Sequence, residues 1–421
     1  MTCVLLNDAW RVRTKTNIWE QLTPKEGTDR LVTLPFDALV GAERSKSNPG
    51  RIAYYPDDVE YEFLRALQAP EGWAECAVTL DIEAAYRSPR VFLNGVLIAS
   101  WEAGTIGRLI PLNDYLRPGE RNELKVEVRA GSDSRWYAGA GLIRDVRLHI
   151  QPLIHLDPLG PVVTTPDVDA ERAVVEVCTD VVSTARRCEE RLLVARILDA
   201  DGSEVARSRV PATVPASGRI SVRQRLELPA PRRWSVTDPY LYRVVVDQFE
   251  RAEDGSPCGD PEDSASAPLG VRTIQLDSAH GLRINGESVK LRGACVHVDN
   301  GPLGTAAVGD AEERRVRLLK QAGFNALRSA HNPMSPRMLD ACDRLGVLVM
   351  DEASTSGPAA RTCTTTPPCS MPLGARTWTP GLCGPGATRV SCCTHWATRF
   401  PRPRRPTASC KRALWPSGFA A

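Results

Sequence analysis

Apolar and polar positions alternate in short runs over the first part of the chain. Residues 76–82, 90–93, 97–100 and 123–129 each show a two-residue period between turn-forming residues. That period places apolar side chains on one face of a strand, and no helical period is visible over residues 1–152. Many short strands separated by turns predict a jelly-roll-like β-sandwich for 1–152. Asn94-Gly95 lies between two of the runs and predicts a tight hairpin turn, since both residues tolerate positive φ.

The same pattern continues in a second segment, 153–272. Residues 173–179, 191–198, 220–228 and 241–246 alternate or run apolar, with Asp201-Gly202 among the turns between them. About seven short strands in roughly this length suit an immunoglobulin-like sandwich. The acidic, Pro-containing stretch 252–268 reads as an exposed hairpin loop.

From residue 273 the period changes. Residues 289–291 are strand-like. Asp310 is a candidate N-cap, with Glu313 completing a capping box and Val316 and Leu319 on one helical face; Gly323 ends the helix. Residues 325–328 read as a short strand. Ser335 caps the next helix, Pro336 sits in its first turn, and Met338, Leu339, Cys342 and Leu345 recur with helical spacing up to Gly346. Residues 347–350 form a continuous apolar run, as expected of a parallel strand buried on both faces. This β-α-β-α-β order opens an α/β domain over 273–352. A complete (β/α)₈ barrel takes about 250 residues, so only its first strands and helices are legible.

The net charge of +2 among 421 residues gives no global attraction to nucleic acid or to membranes. The amino-terminal apolar run is too short for a signal peptide, and no stretch approaches the roughly 18 apolar residues of a membrane span, so a cytoplasmic protein is expected. Seven of the thirteen cysteines are scattered over the first 352 residues and read as free thiols rather than a disulfide framework. Gly139 and Gly141 form G-x-G without a third glycine or a following helix, so no dinucleotide site is implied. Cys392, Cys393 and His395 lack the paired spacing of a zinc site.

Three segments carry a more specific signal: SRWYAGAGLIRDV at 134–146, VKLRGACVHVDNGPLG at 289–304, and NALRSAHNPMSPRMLDACDRLGVLVMDEA at 325–353. Together they resemble glycoside hydrolase family 2, which includes β-galactosidases and β-glucuronidases, with the second segment closer to the galactosidases. The resemblance covers about 350 residues in the family's domain order: sugar-binding sandwich, immunoglobulin-like domain, barrel. It implies hydrolysis of β-galactosides or related β-glycosides by a retaining mechanism. In that mechanism one glutamate protonates the glycosidic oxygen and a second attacks the anomeric carbon, their carboxyls about 5–5.5 Å apart. Both come from barrel strands beyond the second helix, so the expected catalytic set in this chain is empty. The supporting residues are present. Arg328 matches an arginine that pairs with the nucleophile, and His331 and His297 match histidines that contact the sugar. Asn332 stands where relatives carry Tyr or Asn, and Arg135 and Trp136 are candidates to reach the sugar from the first sandwich. Asp351 and Glu352 are rejected as a catalytic pair, because adjacent strand residues point to opposite faces. The resemblance implies no organic cofactor and leaves room for a divalent or monovalent cation. The implied partner is a β-glycoside, with no nucleic acid or membrane, and a homo-oligomer is compatible with it.

Residues 353–421 differ in character. They contain no Asp or Glu, but ten prolines, six cysteines and nine Lys or Arg. Such a composition predicts a disordered tail. Codon degeneracy suggests a shifted reading frame instead. Joining the third base of each codon to the first two of the next lets ATRVSCCTHWATRF at 387–400 encode His-Pro-Ser-Val-Val-Leu-Tyr-Ser-Leu-Gly-Asn-Glu-Ile, which holds the family's acid/base Gly-Asn-Glu. The glutamate would then span Thr398 and Arg399, leaving the chain as written inactive. A contrasting expectation is that the two sandwiches serve as a carbohydrate-binding or assembly module.

Overall fold

The computed structural model describes residues 2–15, 29–48, 54–56, 59–131 and 137–352. Arg135, Trp136, the predicted tail and the discounted Cys392, Cys393 and His395 set lie outside these residues.

Two antiparallel sheets form the first sandwich. The smaller runs Thr2–Leu5, Val146–Gln151, Ala77–Ile82, Arg108–Pro111. The larger runs Arg30–Val32, Trp10–Thr14, Glu60–Gln68, Arg121–Arg129, Arg90–Leu93, Val96–Ser100. Their inward-facing residues, among them Trp10, Phe63, Leu80, Leu93, Leu124 and Leu148, form one core. Asn94 and Gly95 close the predicted hairpin with φ of 53° and 82°.

Eight strands make the second sandwich. Arg172–Ser183 carries Ile154–Leu156, Val162–Val168 and Arg219–Pro229 on one sheet, and the order on the other is Glu204–Val214, Glu189–Leu198, Tyr242–Arg251, Pro257–Leu269. The exposed loop expected over 252–268 is corrected here. Only the turn around Asp254-Gly255 is a loop, and Pro257–Leu269 is an edge strand on Tyr242–Arg251 with a register shift between Gln248 and Glu250. An edge strand has one side that needs no ladder partner, so it tolerates proline and charge that a central strand would not.

After a small three-stranded sheet (Ile274–Asp277, Gly281–Ile284, Glu287–Ser288), the chain becomes α/β. Three parallel strands, β1 (Gly293–Val296), β2 (Ala326–Ser329) and β3 (Leu348–Met350), alternate with α1 (Gly309–Gln321) and α2 (Pro336–Leu345). The strand expected at 289–291 therefore begins later. There the backbone is fixed by Asn325, whose side chain accepts from Arg292 N and donates to Lys290 O. The capping box at Asp310 is also corrected. Helix α1 starts at Gly309 after Val308, with no side-chain cap, and Asp310 and Glu312 lie in its first turn, where the helix dipole favours negative charge. Helix α2 matches the sequence reading: Ser335 Oγ accepts from Met338 N, and Gly346 ends the helix in the left-handed region at φ 70°. None of the described helices is long and apolar enough to cross a membrane.

Both sandwiches dock on the α/β unit. From the first, the buried Asp37 carboxylate accepts from Leu39 N (3.0 Å), Tyr137 Oη (2.8 Å), Ala140 N (3.1 Å), Thr305 N (2.9 Å) and Thr305 Oγ1 (3.0 Å). The glycines of 139–141 serve this joint. A methyl group at Gly139 would collide with Thr305 and Asp37, and one at Gly141 with Phe36 O. Arg144 crosses the same boundary, donating to Thr105 O (3.1 Å) and Pro333 O (2.6 Å). From the second sandwich, the buried Trp234 donates to Asp343 O (3.0 Å) and packs with Ile284, Ala326 and Leu348.

This arrangement predicts a large cost for Asp37→Ala, because the donors gathered on the carboxylate lose their acceptor. At roughly 1–3 kcal/mol per stranded buried group, a loss of about 3 kcal/mol or more is expected. Asp37→Asn, which keeps one acceptor oxygen, should cost clearly less. The urea midpoint of the first unfolding transition measures both, and equal midpoints for Asp37→Ala and the parent would contradict the assignment.

Candidate functional site

The chemistry gathers at the carboxyl-terminal ends of β1–β3, where barrel folds place reactive groups. Strand alternation decides which side chains reach it. Leu327 and Val349 point outward and pack with Val316, Met338 and Cys342 of the helices. Ala326, Arg328, Leu348 and Met350 share the opposite face, with Cys295 beside Arg328 in the register. At the base of that face, Ala326 and Leu348 are sealed by Trp234 and Ile284. At its mouth stands Arg328.

Arg328 reaches Glu352 Oε1 through both Nε and Nη2, each at 2.6 Å, while Nη1 lies 3.5 Å from Cys295 Sγ. Burial works against its charge, but the contacts to Cys295 and Glu352 outweigh it, so the guanidinium pKa is pushed above its ordinary value. The second carboxylate oxygen of Glu352 lies 3.0 Å from His331 Nδ1. His297, just past β1, packs edge-to-face on His331 at 5.7 Å between centroids. Its backbone is held by Arg315, which donates to His297 O at 3.0 Å and also to Asp299 O.

Asp351 and Glu352 point apart, as alternation requires. Asp351 turns to the helix side and accepts from Met334 N at 3.0 Å. Burial pushes its pKa above the ordinary carboxylate value, against the opposing pull of Met334 N–H, Ser329 and Arg144. Glu352 turns to the mouth, and its N–H donates to Ser329 Oγ at 2.6 Å. Under Asp351 lies a polar layer. Glu312 accepts from Ser335 Oγ (2.6 Å) and Asn300 Nδ2 (2.9 Å), and burial pulls the Arg144 pKa down. A cavity of about 20 Å³, room for roughly one water, lies among Arg144, His297, Thr305, Glu312 and Asn332.

Of the residues singled out from sequence, Arg328, His331 and His297 come together at the mouth. Asn332 lines the small cavity with His297, and its Oδ1 lies 3.5 Å from Thr105 Oγ1, at the outer limit of a hydrogen bond. It joins the strand ends to the first sandwich. Glu352 is the member that sequence reasoning left out of the site. The signal was present, since Glu352 follows Leu348 and Met350 in the same two-residue phase as the lumen face. Among the described residues, no three or more His, Cys, Asp or Glu side chains form a group that could hold a metal ion.

Comparison with known proteins gives this geometry a family. Residues 155–272 match the model described as glycosyl hydrolases family 2, and residues 275–369 match glycosyl hydrolases family 2, TIM barrel domain. The second match runs past Glu352, into the segment of changed composition. The beta-galactosidase BoGH2A of Bacteroides ovatus is 33% identical over 328 residues, covering 77% of this chain and 38% of the relative. The beta-glucuronidase of Bacteroides fragilis is 27% identical over 376 residues, covering 84% of this chain and 50% of the relative. The chain thus spans half or less of the length of these curated relatives. A solved glycosyl hydrolase family 2 member from Bacteroides cellulosilyticus superposes with a TM-score of 0.75 at 31% identity, covering 84% of this chain and 48% of the other. Two family models in consecutive register, a relative at 33% identity and a solved member at 31% agree: the chain belongs to glycosyl hydrolase family 2.

Proposed function

We propose that Arg328, His331, His297 and Glu352 form the supporting shell of a β-glycoside site, for a β-galactoside or related sugar. The observation that carries the reading is the Arg328–Glu352–His331 cluster at the mouth of the parallel strands. A planar guanidinium there can hold a nucleophilic carboxylate ionised and aimed. The histidines offer hydrogen bonds to sugar hydroxyls, and the family resemblance makes Asn332, Arg135 and Trp136 further candidates for contact with the sugar. The galactoside preference draws on the Bacteroides ovatus relative, which is named a beta-galactosidase. The reaction is retention through a glycosyl-enzyme intermediate, with two glutamates as acid/base and nucleophile. Neither is present in this chain as written, and residues 353–421 hold no carboxylate side chain at all.

Three outcomes follow. The chain as written should show no turnover of chromogenic β-galactosides or β-glucuronides, because general acid catalysis, worth about 10²–10⁴-fold, and the covalent route are both lost. Turnover that co-purifies with the chain and disappears in Arg328→Ala would overturn this. The second outcome concerns the gene: reading one frame over from about codon 353 should open a continuous frame through Gly-Asn-Glu. An early stop there, or a decoded sequence without that motif, would contradict the proposal. In an enzyme expressed from the restored frame, Arg328→Ala should lower kcat by about 10- to 100-fold. That corresponds to the roughly 1.5–3 kcal/mol of a hydrogen bond to a charged group. Binding of β-galactosides by residues 1–272 alone, with no restored frame, would favour a carbohydrate-binding module instead.

A further inference from the structure

We propose that Glu352 is a positioning residue that fixes His331 as the Nδ1–H tautomer, so that any hydrogen bond Nε2 of the neutral ring makes is one it accepts. The proposal rests on the β-glycoside reading for its purpose, but not for its test.

The argument starts from the donor and acceptor inventory. An ionised carboxylate only accepts, so a neutral imidazole whose Nδ1 faces it must carry its proton on Nδ1. His331 Nδ1 lies 3.0 Å from Glu352 Oε2. The carboxylate is oriented from its other side, where Arg328 places the charged donors Nε and Nη2 at 2.6 Å from Oε1. Its backbone is pinned as well, with Glu352 N donating to Ser329 Oγ on the neighbouring strand at 2.6 Å. The carboxylate therefore cannot swing away from the imidazole without abandoning the ion pair. In water the Nε2–H form of a neutral imidazole is the favoured one, so the tautomer at this site is imposed by its partner.

The consequence is chemical. With Nδ1–H engaged, the neutral ring has one remaining lone pair, on Nε2, and it takes a proton from a hydroxyl rather than giving one. Arg328 offers only donors. One carboxylate thus holds a donor and an acceptor side by side at the mouth. A sugar hydroxyl is both donor and acceptor, so it can bridge such a pair. The edge-to-face contact with His297 at 5.7 Å limits rotation of the His331 ring.

The test is a long-range proton–nitrogen correlation spectrum of the full chain, labelled with nitrogen-15 at its six histidines. It is recorded near pH 9, above the ordinary histidine value of about 6.5, with His331→Gln to assign the signal. The expected result is a protonated Nδ1 and an unprotonated Nε2 for His331. Glu352→Ala should return the ring to the Nε2–H form. Glu352→Gln keeps the shape, but its one amide oxygen stays on the donor-only Arg328 and its NH2 turns to Nδ1, so the ring should again move to the Nε2–H form, an outcome that loss of packing alone would not produce. A wild-type His331 already in the Nε2–H form overturns the proposal even if Glu352→Ala does not fold. No sugar is needed, so failure of the glycosidase reading leaves this result standing, and failure here leaves that reading standing.

Discussion

A single buried carboxylate holds the geometry of the mouth. Asp37 belongs to the first sandwich, yet two of its hydrogen bonds go to Thr305, far along the chain in the loop after β1. A buried charge is costly unless it is fully paired, so the joint forms with good geometry or not at all. That constraint explains the small residues around it. Gly139 and Gly304 lie so close to Asp37 that a side chain at either would collide with it. It also explains Arg144, which ties the sandwich to Pro333, two residues past His331. The first sandwich thereby sets where the loops after β1 and β2 can lie, and with them His297 and His331.

The second constraint is the pleat. One face of β1–β3 packs against α1 and α2, and the other faces the barrel interior. The interior face is sealed by Trp234 at one end and polar at the other. Adjacent acids are thereby sorted into different work. Asp351, on the helix side, is half-buried against a polar layer that supports the strand ends. Glu352, on the interior side, orders Arg328 and His331. Two carboxylates next to each other in sequence end up in different environments, with the Asp351 pKa raised by burial.

Much of this was legible in the sequence where the signal is local. The Asn94-Gly95 turn, the Ser335 cap with Pro336 behind it, and Gly346 at the end of α2 are all set by residues within a few positions, and the structure has them as read. Arg328, His331 and His297 were legible through a resemblance to a family, and the structure brings them together. What the sequence obscured depends on distant partners. Pro257–Leu269 resembles a loop because it is acidic and carries prolines, and it is a strand only because Tyr242–Arg251 offers it an edge. The start of β1 is set by Asn325, more than thirty residues away. Asp37 caps the short turn Ala38–Gly41 through Leu39 N, but its partners at 137–140 and 305 cannot be foreseen from its neighbours. Gly139 and Gly141 were visible, and their meaning came only with Thr305 and Phe36 packed against them.

The most direct test of this account is amide hydrogen exchange, read by mass spectrometry, on the full chain and its Asp37→Ala variant. If the first sandwich positions the mouth through Asp37, exchange should quicken in peptides covering 297–308 and 329–335. The strands Arg172–Ser183 and Arg219–Pro229 of the second sandwich should exchange as before. Unchanged exchange at 297–308 would contradict it, and so would a uniform increase across both sandwiches. Either result would mean that the loops bearing His297 and His331 are held by the α/β unit itself.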